Sequence, residues 1–94
     1  MDDGGSVREA SDLGSLVRAV RIASGLTQSE AAALCGVSAP FLSDLEGGKA
    51  SAQLGRILAV CQGLGIRMQL VPPIAIESAK GRQRRRRARD GDHG

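Results

Sequence analysis

Aromatic side chains are almost missing from this sequence: among 94 residues Phe41 is the only one, with no Trp or Tyr. A core for a chain of this length must therefore come from Leu, Ile, Val and Ala. Such a core is thin, which gives dimerisation a stabilising role. Histidine is as scarce, with His93 alone near the C-terminus. No Gly-rich phosphate loop and no converging acids accompany it, so catalysis is not expected. The two cysteines, Cys35 and Cys61, form no CxxC motif and have no second metal-type ligand beside them. They read as small buried hydrophobes, and no metal, disulfide or cofactor is expected. No apolar run reaches membrane-spanning length and no signal-type apolar segment is present, so the expected location is cytoplasmic.

What is present begins with a charge asymmetry. The formal net charge is +3, yet residues 80–94 hold seven basic residues (Lys80, Arg82, Arg84, Arg85, Arg86, Arg87, Arg89) and two acids. That leaves six basic against eight acidic residues in the first 79, a net −2. The run from Lys80 onward has no apolar residue beyond Ala88 and reads as a disordered tail. Either it adds nonspecific phosphate contacts with a strong salt dependence, or it is solvated with no dedicated partner.

The most informative stretch is Gly25 to Lys49, GLTQSEAAALCGVSAPFLSDLEGGK. Thr27 and Glu30 stand at the spacing of a capping box, so a helix starts there. Ala31, Ala32 and Cys35 form a narrow face of small apolar residues that a second helix can approach closely, and Gly36 ends the helix. Val37 plugs the turn. Ser38 caps a second helix with Pro40 in its first turn, Leu42 and Leu45 inside, and Gly47-Gly48 closing it. Its outer side carries Ser38, Ala39, Pro40, Ser43 and Asp44, small or polar residues with no task in a core. Two short helices, a Gly turn and a polar outer face are the parts of a helix-turn-helix, whose second helix enters the major groove of DNA.

Around this unit the chain reads in order. Met1 to Ala10 is acidic, Gly-rich and aperiodic. Ser11 or Asp12 is expected to cap a first helix, buried through Leu13, Leu16, Val17 and Val20. Ser51 is expected to cap a later helix with Leu54, Ile57, Leu58, Cys61 and Leu64 inside, where Gly55 and Gly63 each weaken it slightly and Gly65 stops it. Ile66, Arg67, Met68, Gln69, Leu70 and Val71 then switch to period two and read as a strand, blunted by Pro72-Pro73. A lone strand leaves its backbone groups unpartnered. Pairing with the same strand of a second copy, antiparallel across a two-fold axis, satisfies them.

From about Leu13 to Val71 the chain resembles the Xre class of lambdoid-repressor regulators, and within it HipB-type antitoxins. The resemblance is carried by GLTQ (Gly25–Gln28), GVS (Gly36–Ser38), LSDLEGGK (Leu42–Lys49) and LGRILAVCQGLGIRMQL (Leu54–Leu70). It implies an all-α fold, a lambda-repressor-like helix-turn-helix bundle with one short C-terminal β-strand pairing across a homodimer. Residues 1–10 are then a disordered lead, 11–73 the DNA-binding and dimerisation domain, and 74–94 a disordered Arg-rich tail.

The resemblance also implies roles. Arg21 pairs with Glu46, and Gln28, followed by Ser29 at the same helix start, clamps a phosphate and braces the second helix. Ser38, Ala39, Pro40 and Ser43 meet base edges, and Lys49 meets phosphate, with Arg18 and Arg56 as weaker candidates. Phe41 suits a groove contact and packing against the next helix equally. Relatives often carry Arg, Lys or Gln at the Ala39 and Pro40 sites, so contacts to thymine methyls or DNA shape must supply specificity here. The implied function is a dimeric, nucleoid-associated bacterial repressor of its own operon, binding palindromic double-stranded DNA and a HipA-like Ser/Thr kinase toxin. A flexible tail would be where proteolysis begins. A stand-alone repressor without a toxin, and a protein-binding module that no longer reads DNA, are the alternatives, with exposed Leu34 as a candidate partner contact.

Overall fold

The computed structural model describes residues 5–74, which form four helices: α1 (Ala10–Ala23), α2 (Gln28–Cys35), α3 (Ala39–Glu46) and α4 (Leu54–Leu64). Local chemistry sets their ends. At α2 the Thr27 hydroxyl accepts from the Glu30 N–H at 3.1 Å while the Glu30 carboxylate accepts from the Thr27 N–H at 2.9 Å, a complete capping box. At α3 the Ser38 hydroxyl accepts from the Phe41 N–H at 3.1 Å. Gly36 and Gly65 follow α2 and α4 in the left-handed conformation, at φ 75° and 77°, which glycine adopts without a Cβ penalty.

Two starts differ from the sequence expectation. The N-cap of α1 is Glu9 rather than Ser11 or Asp12; Asp12 instead turns its carboxylate back to accept from the N–H groups of Arg8 and Glu9 at 2.9 and 3.0 Å. The N-cap of α4 is Gln53 rather than Ser51 and makes no side-chain capping bond. Its carbonyl accepts from the Arg56 and Ile57 N–H groups, both at 3.1 Å.

The helices pack as α1 on α3 and α2 on α4, with α2 against α3 between them. Val17, Ala31, Ala32, Cys35, Leu42, Leu45 and Val60 form the buried cluster, and Leu13, Leu26, Val37, Phe41, Ile57 and Leu64 close around it. Small residues at the centre mean that backbones approach closely, and two glycines permit it. A Cβ on Gly14 would overlap the carbonyl oxygens of Leu45 and Glu46, and one on Gly63 would lie 2.5 Å from Cys35 Sγ and 3.0 Å from Cys35 Cα. Gly63 is therefore a seat for α2, beyond the small weakening of α4 that its helix propensity implies.

The inner face of α4 is also corrected. Val60, not named from the pattern, is fully buried, whereas Leu54 and Leu58 are 62% and 42% exposed. The stripe Ile57, Val60, Cys61 and Leu64 has the same i, i+3, i+4, i+7 spacing, and it is the one that brings Gly63 onto Cys35. Both cysteines are free thiols, Cys35 lying 3.6 Å from the Val60 carbonyl. Burial pushes both thiols above their ordinary values, the neighbouring Cys35 adding to the effect on Cys61, which suits inert core residues.

No strand forms among the described residues. Ile66 returns to the core edge, but Met68, Leu70 and Val71 are exposed, Leu70 at 86%. This segment, with Leu16 and Val20 of α1, lines an open groove of mixed polar and apolar character. The Arg-rich run from Lys80 lies outside the described residues.

Candidate nucleic-acid interface

The position of α3 is fixed by one polar cluster at its C-terminal end. Arg21, in the last turn of α1, donates from Nε to Glu46 Oε2 at 2.6 Å and from Nη2 to Oε1 at 2.9 Å. Its remaining nitrogen, Nη1, donates to the Leu26 carbonyl at 2.9 Å. Gln28, the first residue of α2, donates from Nε2 to Glu46 Oε1 at 3.0 Å. The α1 end, the α1–α2 turn, the α2 start and the α3 end are thus tied through a single carboxylate. With side-chain exposures of 11% for Arg21 and 3% for Glu46, the bidentate geometry is shielded from water.

Charge and burial compete at Glu46. Burial pushes its carboxyl up, but hydrogen bonds from Arg21 and Gln28 and the nearby charges of Arg21 and Arg18 outweigh it, so the net shift is downward. The hydrogen bond to Glu46 in turn pushes Arg21 further up. Both groups remain ionised.

With α3 held this way, Leu42 and Leu45 face inward and Pro40, Ser43 and Asp44 stand exposed on the outside. Ser38 is exposed at the helix start, its oxygen engaged as the cap. Ala39 and Phe41 are half-buried and pack against the core cluster. Phe41 also carries the Arg56 guanidinium 5.9 Å above its ring. Ser29 is exposed at the start of α2, and Gln28 is half-buried at its bond to Glu46. Lys49, in the turn after α3, is exposed and lies 3.4 Å from Asp44 Oδ2.

The arrangement brings Ser29, Ser38, Pro40, Ser43 and Lys49 to the surface and draws Ala39 and Phe41 toward the interior. Sequence reasoning missed the Asp44–Lys49 and Phe41–Arg56 pairs; residues five and fifteen positions apart carry no helical-spacing signal when a turn lies between them. Gly14 was missed as well, although a glycine beside Leu13 and Val17 on a buried face is the one available hint. Among the described residues no group of three or more His, Cys, Asp or Glu could hold a metal ion, and no helix is long and apolar enough to cross a membrane.

Two short helices packed across each other through a glycine turn, the second with its polar side outward and a part-buried ion pair at its C-terminal end, make a helix-turn-helix. The chain belongs to the helix-turn-helix family, whose domain description matches residues 12–71. It is 42% identical over 67 residues to the HTH-type transcriptional regulator y4mF of Sinorhizobium fredii, which covers 71% of this chain and 88% of that protein. Among solved structures it resembles HipB. The HipB-O1-O2 complex matches at TM-score 0.67 and 25% identity, covering 72% of this chain and 99% of that one. The HipA-HipB-O2-O3 complex matches at TM-score 0.67 and 24% identity, covering 74% and 99%. The chain is a transcriptional regulator of the helix-turn-helix class, built on an all-α fold like that of HipB.

Proposed function

We propose that this protein is a dimeric repressor that binds a palindromic operator in its own promoter and acts as a HipB-type antitoxin toward a HipA-like Ser/Thr kinase. The observation that carries the DNA-binding reading is the α3 surface: Leu42 and Leu45 are spent inward, and Ser38, Pro40 and Ser43 are left exposed, as is Lys49 in the turn that follows. Dimerisation rests on the segment 66–71, whose exposed Met68, Leu70 and Val71 are met by the same segment of a second copy. Two copies then place two α3 helices in successive major grooves about 34 Å apart. Lys49, Arg18 and Arg56 supply phosphate contacts, and the Arg-rich tail reinforces them. The antitoxin role rests on the likeness to HipB, one of whose matched structures is a complex with HipA.

Titrating the full chain against its own promoter and a shuffled duplex of equal length, at two salt concentrations, tests the operator reading. A promoter preference that survives added salt is expected, because base contacts release no counterions. Equal affinity for both duplexes would leave a protein-binding module. Co-purification with a kinase encoded beside the gene tests the antitoxin role, and a locus without such a kinase selects the stand-alone repressor.

A further inference from the structure

We propose that Asp44 is the base-discriminating side chain of α3 and that it selects a cytosine, through its N4 amine, at one position of each half-site. The proposal rests on the operator-binding reading above and names the chemistry that reading otherwise lacks.

The outward stripe of α3 is Pro40, Ser43, Asp44 and the following Gly47, all exposed, opposite the buried Leu42 and Leu45. Proline and glycine side chains offer no hydrogen-bonding group. The Ser43 hydroxyl both donates and accepts, so it fits any base edge, and the Ser38 oxygen already accepts from the Phe41 N–H. Asp44 alone has a fixed polarity: an ionised carboxylate only accepts. In the major groove the donors are the cytosine N4 and adenine N6 amines. Adenine sets its N7 acceptor beside that amine, where it repels a carboxylate, whereas cytosine has no acceptor of its own there. An acceptor-only group at this place therefore favours cytosine.

A carboxylate near phosphates is costly unless its charge is offset. Lys49 Nζ lies 3.4 Å from Asp44 Oδ2, and both side chains are about half exposed, at 55% and 53%. The lysine engages one oxygen and leaves Oδ1 for a base. An unaccompanied aspartate would repel the duplex.

In vitro selection of randomised duplexes with the full-length protein decides the matter, using wild type, Asp44→Ala and Asp44→Asn, with thermal melts to confirm folding of these exposed-site variants. Wild type should yield a two-fold symmetric motif with cytosine enriched at one position per half-site. Asp44→Ala should lose that preference, by roughly fivefold or more in relative affinity, with the other positions unchanged. Asp44→Asn should move it toward adenine, whose N6 and N7 an amide can match. If both variants return the wild-type motif and bind all duplexes more tightly, Asp44 merely repels phosphate and the assignment fails. If wild type itself yields no motif, the operator reading fails and takes this one with it.

Discussion

Glu46 does more to hold α3 than any other ionised side chain, because it takes three hydrogen bonds from two different segments while almost fully buried. Removing one partner of such a pair strands the other charge, so Arg21→Met should cost about 3–5 kcal/mol in a urea unfolding experiment. That is comparable to the whole stability of many small domains. Glu46→Gln, which keeps an acceptor, should cost less. The pair also sets a pH dependence. The folded-state value of Glu46 lies below its ordinary 4.5, so its stabilisation is complete above that pH and is lost as pH falls through the lower folded value. Asp12, lowered by its bonds to the Arg8 and Glu9 N–H groups, contributes in the same direction. Unfolding midpoints measured from pH 6 downward should therefore fall below about pH 4.5, and Glu46→Gln should flatten that fall without abolishing it.

At the level of elements, glycine means opposite things at two places in α4. Gly55 has nothing within 4 Å of a would-be Cβ, whereas Gly63 has Cys35 there at 2.5 Å. Gly55→Ala should raise stability by up to about 1 kcal/mol through helix propensity. Gly63→Ala should lower the melting temperature despite the same propensity gain, because the overlap involves Cys35 Cα as well as the flexible thiol. Equal and positive shifts for both would mean that α2 and α4 do not approach as described. For α3 the decisive change is Ser43→Glu, which sets a longer carboxylate on the exposed stripe beside Asp44. Operator binding in a gel shift should be abolished while the circular dichroism spectrum and the oligomeric state stay as in wild type. Unchanged affinity would show that another face of the helix meets DNA.

At the scale of the described residues, a small core stands beside an exposed segment after α4. Among the described residues, eight buried hydrophobic side chains, including the small Ala31, Ala32 and Cys35 of α2, hold four helices together, while Leu70 and Val71 stand 86% and 79% exposed. If the segment pairs with its counterpart in a second copy, alternate N–H groups face the partner strand. Substituting adjacent residues removes whichever of the two is engaged. Met68→Pro combined with Gln69→Pro should therefore give a monomer by light scattering at concentrations where wild type is a dimer, with helical content retained. Wild-type melting temperature should rise with protein concentration, as it must when folding and association are linked. An unchanged mass for the double variant would place the dimer contact elsewhere, and a concentration-independent melt of the wild type would show that folding and association are not linked.

The helices themselves were legible in the sequence because their signals are local: the Thr27–Glu30 box, the Ser38 cap, the Gly36 and Gly65 stops and the Leu42–Leu45 stripe each act within a few residues of backbone. The Arg21–Glu46 pair was reached only through family likeness, since nothing local joins two charges 25 residues apart. Where two readings shared the same spacing, the sequence could not choose. The expected stripe of Leu54, Ile57, Leu58, Cys61 and Leu64 shares Ile57, Cys61 and Leu64 with the observed one, and it is the contact of Gly63 with Cys35 that turns Val60 in and Leu54 and Leu58 out. The same holds on α3, where packing draws Ala39 and Phe41 inward and the turn after the helix brings Lys49 to Asp44. Sequence set where α2 and α3 begin and where α2 and α4 end, because capping and glycine stops are short-range; the fold decided how each helix is rolled, because that depends on which backbones can touch.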